Sequence, residues 1–347
     1  MYRLESLSRP CVVALLRLAA QPRSPWYSSF SIGKTEEPIT MRASFSIFLL
    51  CAAAFLCPIV QAEPDFWNSK DAYLGQPRPS DIPQVFAPSL LAERGSFAMG
   101  RVAFSRDGKD FYYAQNDSWQ SGDHAKLKMI RFADHHWGSA IVISEQCLSP
   151  TLSLDGHTLY MRKIIRGGSM NNVWKSDRTT NGWSAPRSYL QEPFGIYDFM
   201  PTRSGKIYVG SEPDAEDKKN GITYAYSLLT ISDGNARVSS LGRPINEPGF
   251  NGDLFVAPDE SYMIVSAKET KTFESELYIS FHKHDGTWTD PVNLGPKIND
   301  GLAHRWGQYV SPDGKYLFYC RGTSEKDCAI FWVRFDKLLT TLTPKEL

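Results

Sequence analysis

The chain lacks any excess of charge. Its 347 residues carry 38 basic and 38 acidic side chains, so it lacks the strongly basic balance by which a nucleic-acid binder is recognised. Cysteine is scarce, at six, and no apolar run reaches the roughly 20 residues that span a bilayer as a helix. Between residues 85 and 335 there is no long stretch with a 3.6-residue apolar period, which argues against alternating strands and helices. The glycine-serine elbow of the α/β-hydrolases is missing, as is a phosphate-binding glycine loop ending in Lys-Ser/Thr. No Cys/His/carboxylate set stands at metal-ligand spacing, and no cofactor is expected. What is plentiful is aromatic residues, glycine and proline: 9 Trp, 16 Tyr, 19 Phe, 25 Gly and 22 Pro. That mixture suits short strands joined by many turns.

Residues 1–62 stand apart from this composition. Met41-Arg42, an apolar stretch from Phe45 to Val60, and Val60-Gln61-Ala62 before Glu63 have the order of a secretory signal peptide: basic start, apolar core, small residues at the cut. The expectation is a signal over 41–62, a mature chain from Glu63, and a secreted or periplasmic protein without stable membrane insertion. A retained anchor is the alternative. Residues 1–40 are an upstream extension, either a targeting presequence or the product of a start assigned too far upstream. Three cysteines then remain. Cys320 and Cys328 flank a polar connection between two apolar runs that form a hairpin, so they can meet as a disulfide or stay as two thiols. Cys147 is expected as a small buried hydrophobe.

The informative feature is an internal repeat. Ser105-Arg106-Asp107-Gly108, Ser153-Leu154-Asp155-Gly156, Thr202-Arg203-Ser204-Gly205, Ala257-Pro258-Asp259-Glu260 and Ser311-Pro312-Asp313-Gly314 each precede an aromatic-aliphatic strand. With 108, 156, 205, 260 and 314 as markers the intervals are 48, 49, 55 and 54. Each unit has a strand, the Asp-Gly turn, a second strand, a polar loop, a third strand, a turn and a fourth strand. Four antiparallel strands per repeat of this length make the blade of a β-propeller. The fifth unit lacks a fourth strand, because only a Thr- and Leu-rich tail (338–347) follows. A segment at Pro83–Leu91 is placed to supply it and to remove the open sheet edges. The expected fold is all-β: one propeller over 82–337, five blades favoured and six possible if Phe66–Tyr73 adds to it, with 63–81 as an N-terminal arm.

The runs Ser311-Pro312-Asp313-Gly314-Lys315-Tyr316-Leu317-Phe318 and Trp288-Thr289-Asp290-Pro291-Val292-Asn293-Leu294-Gly295, with Ala257–Tyr262, resemble the TolB-like, WD-repeat-like bacterial β-propellers over roughly residues 73–335. The resemblance implies an architecture. Such propellers serve binding, scaffolding and, joined to other domains, hydrolysis. The α/β domain of TolB and the hydrolase domain of prolyl-oligopeptidase-like enzymes are not expected beside this propeller.

In propellers of this kind the strand before the Asp-Gly turn is innermost. Seven residues before each marker stand Arg101, Ser149, Asp198, Asp253 and Gly307, expected as one ring where the first strands begin, with Tyr197, Asn251, His304, Arg305 and Trp306 in the loops entering it. Convergent polar groups in a concavity are the default binding site, here for a protein, peptide or glycan. The alternative is that Asp198 and Asp253 tie neighbouring blades or pair with Arg101. A non-enzymatic binding or scaffold protein is the expected function, and a glycosidase-like enzyme using Asp198 and Asp253 is the alternative, by analogy of fold. His135-His136 falls on a hairpin turn and His282 and His284 beside the equivalent one. Asp214–Lys219 lies in a loop. Each of these is expected as surface structure rather than a metal site.

Overall fold

In the computed structural model, residues 65–119, 121–164, 172–267 and 274–346 are described. The signal peptide and the upstream extension expected over 1–62 lie outside them. Five antiparallel sheets follow one another along the chain. Blade 1 runs Phe97–Phe104, Asp110–Asn116, Lys126–Ala133 and Ile141–Glu145, and blade 2 runs Cys147–Leu152, Thr158–Lys163, Asn172–Thr179 and Arg187–Gln191. Blade 3 is Tyr197–Pro201, Ile207–Ser211, Ala225–Ser232 and Asn235–Ser240, and blade 4 is Leu254–Val256, Tyr262–Ala267, Glu276–Phe281 and Val292–Asn293. Blade 5 has His304–Val310, Tyr316–Gly322 and Ala329–Arg334, and its outermost strand is Gln84–Val85 from the other end of the chain. The protein is a five-bladed β-propeller.

The Asp-Gly turns show why the repeat has its sequence. Asp107 Oδ1 accepts from Ser105 Oγ at 2.6 Å and from the Lys109 amide at 3.1 Å, while Gly108 takes φ 77°. Asp155 and Asp313 do the same with Ser153 and Ser311. Glu260 holds the glycine position of blade 4 at φ 62°, a conformation unfavourable for a side chain with a Cβ. The side chain is buried and repays the strain by joining blades. It accepts from Thr202 Oγ1 (2.9 Å), Tyr208 Oη (2.9 Å), Lys206 Nζ (2.8 Å) and the Ser204 hydroxyl, all of blade 3. Burial would raise its pKa, but the Lys206 ammonium and the three hydroxyls hold it at about 2.

Closure comes from the expected segment, through a strand of two residues: Gln84 faces Trp332, Val85 faces Phe331, and the Phe86 amide donates to the Ile330 carbonyl at 2.7 Å. Phe86 is fully buried among Phe104, Phe111, Phe318 and Trp332, with ring centroids 5.0–6.4 Å apart. The segment Phe66–Tyr73 builds no sixth blade. It forms 3-10 turns at Phe66–Asn68 and Tyr73–Gly75 whose aromatics cover blades 1 and 5. Trp67 Nε1 donates to the Arg106 carbonyl at 3.0 Å and Tyr73 Oη to Asp313 Oδ2 at 2.7 Å. A helix, Asp336–Leu342, leads into the Thr- and Leu-rich tail, and its leucines pack beside blades 3 to 5. Asp134 and His135, at φ 48° and 62°, make the expected turn between the third and fourth strands of blade 1.

The hairpin of blade 5 brings Cys320 Sγ and Cys328 Sγ to 3.3 Å as two buried thiols. A bond needs about 2.05 Å, so the bridge entertained from their spacing is not formed here. Cys147 is buried, as expected.

Phe86→Ala, which empties the closure site while leaving the strand, should lower stability by about 3–5 kcal/mol in urea denaturation. Deleting residues 63–95 should lower the melting temperature much further or abolish folding. A deletion variant that melts cooperatively at the wild-type temperature would mean that the ring closes without this strand.

Candidate functional site

The innermost strands share a distortion that decides what happens on the propeller axis. In blades 1, 2, 3 and 5 the pairing of first and second strands slips, between Met99 and Ala103, Leu148 and Thr151, Tyr197 and Met200, and Trp306 and Tyr309. At each slip one residue has positive φ: Gly100, Ser149, Asp198 and Gly307. A bulge of this kind bends a strand and re-aims its side chains. At Gly307 it also brings two backbones together, since a Cβ there would lie 2.3 Å from the Gly100 carbonyl carbon.

The ring read from the repeat does converge, and its members bind one another. Arg101 is 1% exposed. Its guanidinium crosses the axis from blade 1 to an ion pair with Asp198 of blade 3, donates to the Leu254 carbonyl of blade 4 at 2.8 Å, and lies 3.4 Å from Thr151 Oγ1 of blade 2. Asp198 spends its other oxygen on the Leu254 amide at 2.8 Å. Asp253 of blade 4 accepts from the Gly307 amide of blade 5 at 2.9 Å. Gln308, fully buried, donates to the Asp253 and Ile264 carbonyls. Every blade is thus tied to this hub. Asp253 is half-buried; loss of water, together with the Asp198 charge, pushes its pKa up to about 7 against the pull of Arg101 and Arg162.

The remaining predicted residues divide. Tyr197, His304, Arg305 and Trp306 sit in first strands, not in the entering loops. Arg305 is no rim residue. It is 1% exposed, and its guanidinium bonds the carbonyls of Ile298 (2.9 Å), Ser275 (2.9 Å) and Ala303 (3.2 Å), so it clamps the connection into blade 5. His304 stacks on Trp306 at 4.0 Å, and Trp306 is itself mostly buried. Asn251 and Ser149 are half-buried. Sequence reasoning missed two aromatics at this end: Trp119, edge-on to Trp306 at 5.6 Å, and Tyr224, 5.4 Å from Tyr197. Burial and the nearby carboxylates raise the pKa of Tyr224.

Toward the Asp-Gly turns the axis opens into a cavity of about 690 Å³, within the size range of ligand pockets. The repeat builds its wall level by level. Five residues before the markers stand Ala103, Thr151, Met200, Phe255 and Tyr309; two before them stand Arg106, Leu154, Arg203, Pro258 and Pro312. All ten line the cavity, with Arg101 at its inner end and Leu339 of the terminal helix beside it. The signal was in the sequence: the count that found the hub, stopped two residues before each marker, finds the mouth.

No protein-family model matches the chain, and no curated protein matches it either. Solved structures show distant similarity to β-propeller proteins. TolB from Acinetobacter baumannii aligns at 11% identity and TM-score 0.39, over 68% of this chain and 54% of that one. The GH43 BlXynB protein from Bacillus licheniformis aligns at 13% and 0.43, over 72% and 54%. Hydrazine synthase of Kuenenia stuttgartiensis aligns at 16% and 0.35, over 63% and 60%. The chain therefore spans less than two thirds of the length of each. At these identities the likeness is one of fold, and the functions of the matched proteins are diverse.

Arg101→Met should destabilise by about 3–5 kcal/mol, because it leaves Asp198 charged and unpaired in the interior; adding Asp198→Asn, which keeps an acceptor for the Leu254 amide, should recover part of the loss. A single variant as stable as wild type in urea would remove Arg101 from the hub. The hub also predicts a pH dependence. Folding raises the pKa of Asp253, so the folded state holds its proton more tightly, and stability should fall as pH rises from about 4 through about 7. Asp253→Asn should flatten that fall. Urea midpoints of wild type and variant that run parallel across the window would show that Asp253 ionises normally.

Proposed function

We propose that the protein is an exported, TolB-like binding propeller, secreted or periplasmic, that receives a protein, peptide or glycan ligand in its central channel through the Asp-Gly turn mouth. The observation that carries this reading is the cavity of about 690 Å³ walled by all five first strands. Its wall is held in place by the hub, so little conformational freedom is lost on binding. Apolar walls with a few polar groups at the rim are the usual composition of such sites. Export rests on the basic-apolar-small order of residues 41–62.

The glycosidase alternative has less support. A hydrolase of that type needs an acid and a base or nucleophile free to act, and both Asp198 oxygens are engaged, by Arg101 and by the Leu254 amide. The first-strand mouth keeps one argument as a second binding place: Asp253 with its raised pKa beside the aromatic pairs Tyr197–Tyr224 and His304–Trp306.

The test is a peptide- and glycan-array screen of the chain from Glu63, with hydrolysis followed in parallel. Leu154, 40% exposed at the turn mouth, can be enlarged without touching the core. Leu154→Trp should weaken a bound probe about tenfold or more, roughly 1.4 kcal/mol, and His135→Ala in the outer turn should leave it unchanged. Loss of binding in Asp253→Asn and Trp306→Ala but not in Leu154→Trp would place the ligand at the first-strand mouth. Turnover of a glycan abolished by Asp253→Asn would replace the binding reading with the enzymatic one.

A further inference from the structure

The turn mouth is not chemically neutral. Among the five residues that stand two before the turn markers, blades 1 and 3 contribute Arg106 and Arg203, both exposed, and blade 2 between them contributes Leu154. Neither guanidinium forms an ion pair or a side-chain hydrogen bond among the described residues. The carboxylates that could cancel them are turned to other work. Asp107, Asp155 and Asp313 fold back onto the serine and amide of their own turns and do not line the cavity. Only Asp259 does, itself bonded by the Ser261 hydroxyl at 2.6 Å. Two cations thus face one carboxylate at the rim, and against the effect of burial the Arg203 charge already acts on that carboxylate, helping the Ser261 hydrogen bonds to hold its pKa down. Arg101 at the inner end is already neutralised by Asp198, yet its Nε–H has no partner.

Apart from its arginines the wall is largely apolar: Leu152, Met200, Phe255 and Val310 with Pro150 and Pro201 below the rim, and Pro258 and Pro312 at it. Its hydroxyls are largely committed. Ser153 Oγ bonds Asp155 and the Thr158 amide, Ser311 Oγ bonds Asp313 and the Tyr316 amide, and Tyr309 Oη accepts from the Phe104 amide of the neighbouring blade at 3.0 Å. The lining includes no Trp, His, Asn or Gln. A sugar would bring a hydroxyl on nearly every ring carbon to a wall with few groups left to meet it, and unmet polar groups are costly to bury. A chain with apolar side chains and one or two carboxylates meets the wall and the rim alike.

We propose that the turn-mouth cavity binds a peptide segment bearing a carboxylate, at an acidic side chain or a free C-terminus, next to apolar residues, with Arg106 and Arg203 holding the anion and the prolines, Phe255 and Met200 the apolar part. This rests on the channel-binding reading and narrows it. Guanidinium–carboxylate pairing is charge-assisted and geometrically selective, and two arginines on alternate blades can grip one anion from two sides of the mouth.

The test exposes the chain from Glu63 to a bead-displayed random hexapeptide library with free C-termini, at low and at high salt. The retained beads should be enriched in Asp and Glu beside apolar residues, and retention should fall at high salt as screening grows. For a retained peptide, Arg106→Gln and Arg203→Gln should each weaken binding about tenfold, and Gln in place of its acidic residue, or an amidated end, should cost the same. Both arginines are exposed on turns, so folding is not at stake, and thermal melts check this. Neutral or basic peptides retained instead, and displaced by Leu154→Trp, would overturn the anion inference while leaving the channel reading intact. Acidic peptides that bind both arginine variants and Leu154→Trp as tightly as wild type would overturn both. Retention of no peptide, or capture of acidic oligogalacturonates in their place, would overturn the peptide class.

Discussion

The guanidinium of Arg101 is the one side chain on which the interior arrangement turns. It starts on blade 1 and ends against blades 2, 3 and 4, and the carboxylate it meets is itself bonded to the backbone of blade 4. A buried ion pair of this kind is weak evidence of net stability, since removing both charges from water costs about as much as their attraction returns. Its value is geometric. An arginine that must find one carboxylate across the axis admits one mutual placement of the blades, where a purely apolar plug would tolerate several. The Gly307–Gly100 approach, the Asp253 bond to the Gly307 amide and the Tyr309 bond to the Phe104 amide then fix blade 5 against blades 1 and 4.

With its hub occupied by its own side chains, the axis is not a tube with two equivalent ends. Polar groups seven residues before the turn markers close the axis, whereas the side chains five and two before them, Thr151 and Tyr309 bonded at its edge among them, line a cavity. The two outcomes come from one strand geometry. The bulge at Gly100, Ser149, Asp198 and Gly307 turns the residues around it inward, and the regular stretch after it diverges toward the turns. Polar convergence near the axis therefore marks assembly, and the open cavity begins only where convergence ends.

How much of this the sequence disclosed depends on whether the repeat carries the information. Blade number, strand order and the source of the last blade's outer strand within Pro83–Leu91 were legible, because a turn with Asp and Gly at nearly fixed places repeats in phase and an unpaired final strand needs a partner. The height of the ring at Arg101, Ser149, Asp198, Asp253 and Gly307 was legible for the same reason. Whether those groups faced a ligand or each other was not, since it rests on how far an arginine reaches across the axis, a distance no repeat count encodes. Arg305 was misplaced on the rim because, beside its ion pair with Asp300, it is held by backbone carbonyls of Ile298, Ser275 and Ala303, which have no sequence signature. Glu260 stands where the other four turns have glycine, and its four blade-3 partners are visible only in three dimensions.

Glu260 also shows how the repeat tolerates departure. Glycine at that position allows positive φ at no steric cost; glutamate accepts the cost and gains a charged tie to the adjacent blade, with Lys206, Thr202, Ser204 and Tyr208 arranged around it. The tie lies beneath the turns that carry Arg203 and Pro258, and the Arg203 amide donates to the Pro258 carbonyl at 2.7 Å directly between them. Blades 3 and 4 are thereby locked at the mouth, just where one of the two rim arginines stands. A guanidinium on a flexible stem loses entropy when it grips an anion, and fixing the backbone beneath it reduces what remains to be lost. The strained glutamate thereby fixes the turn from which the exposed arginine projects.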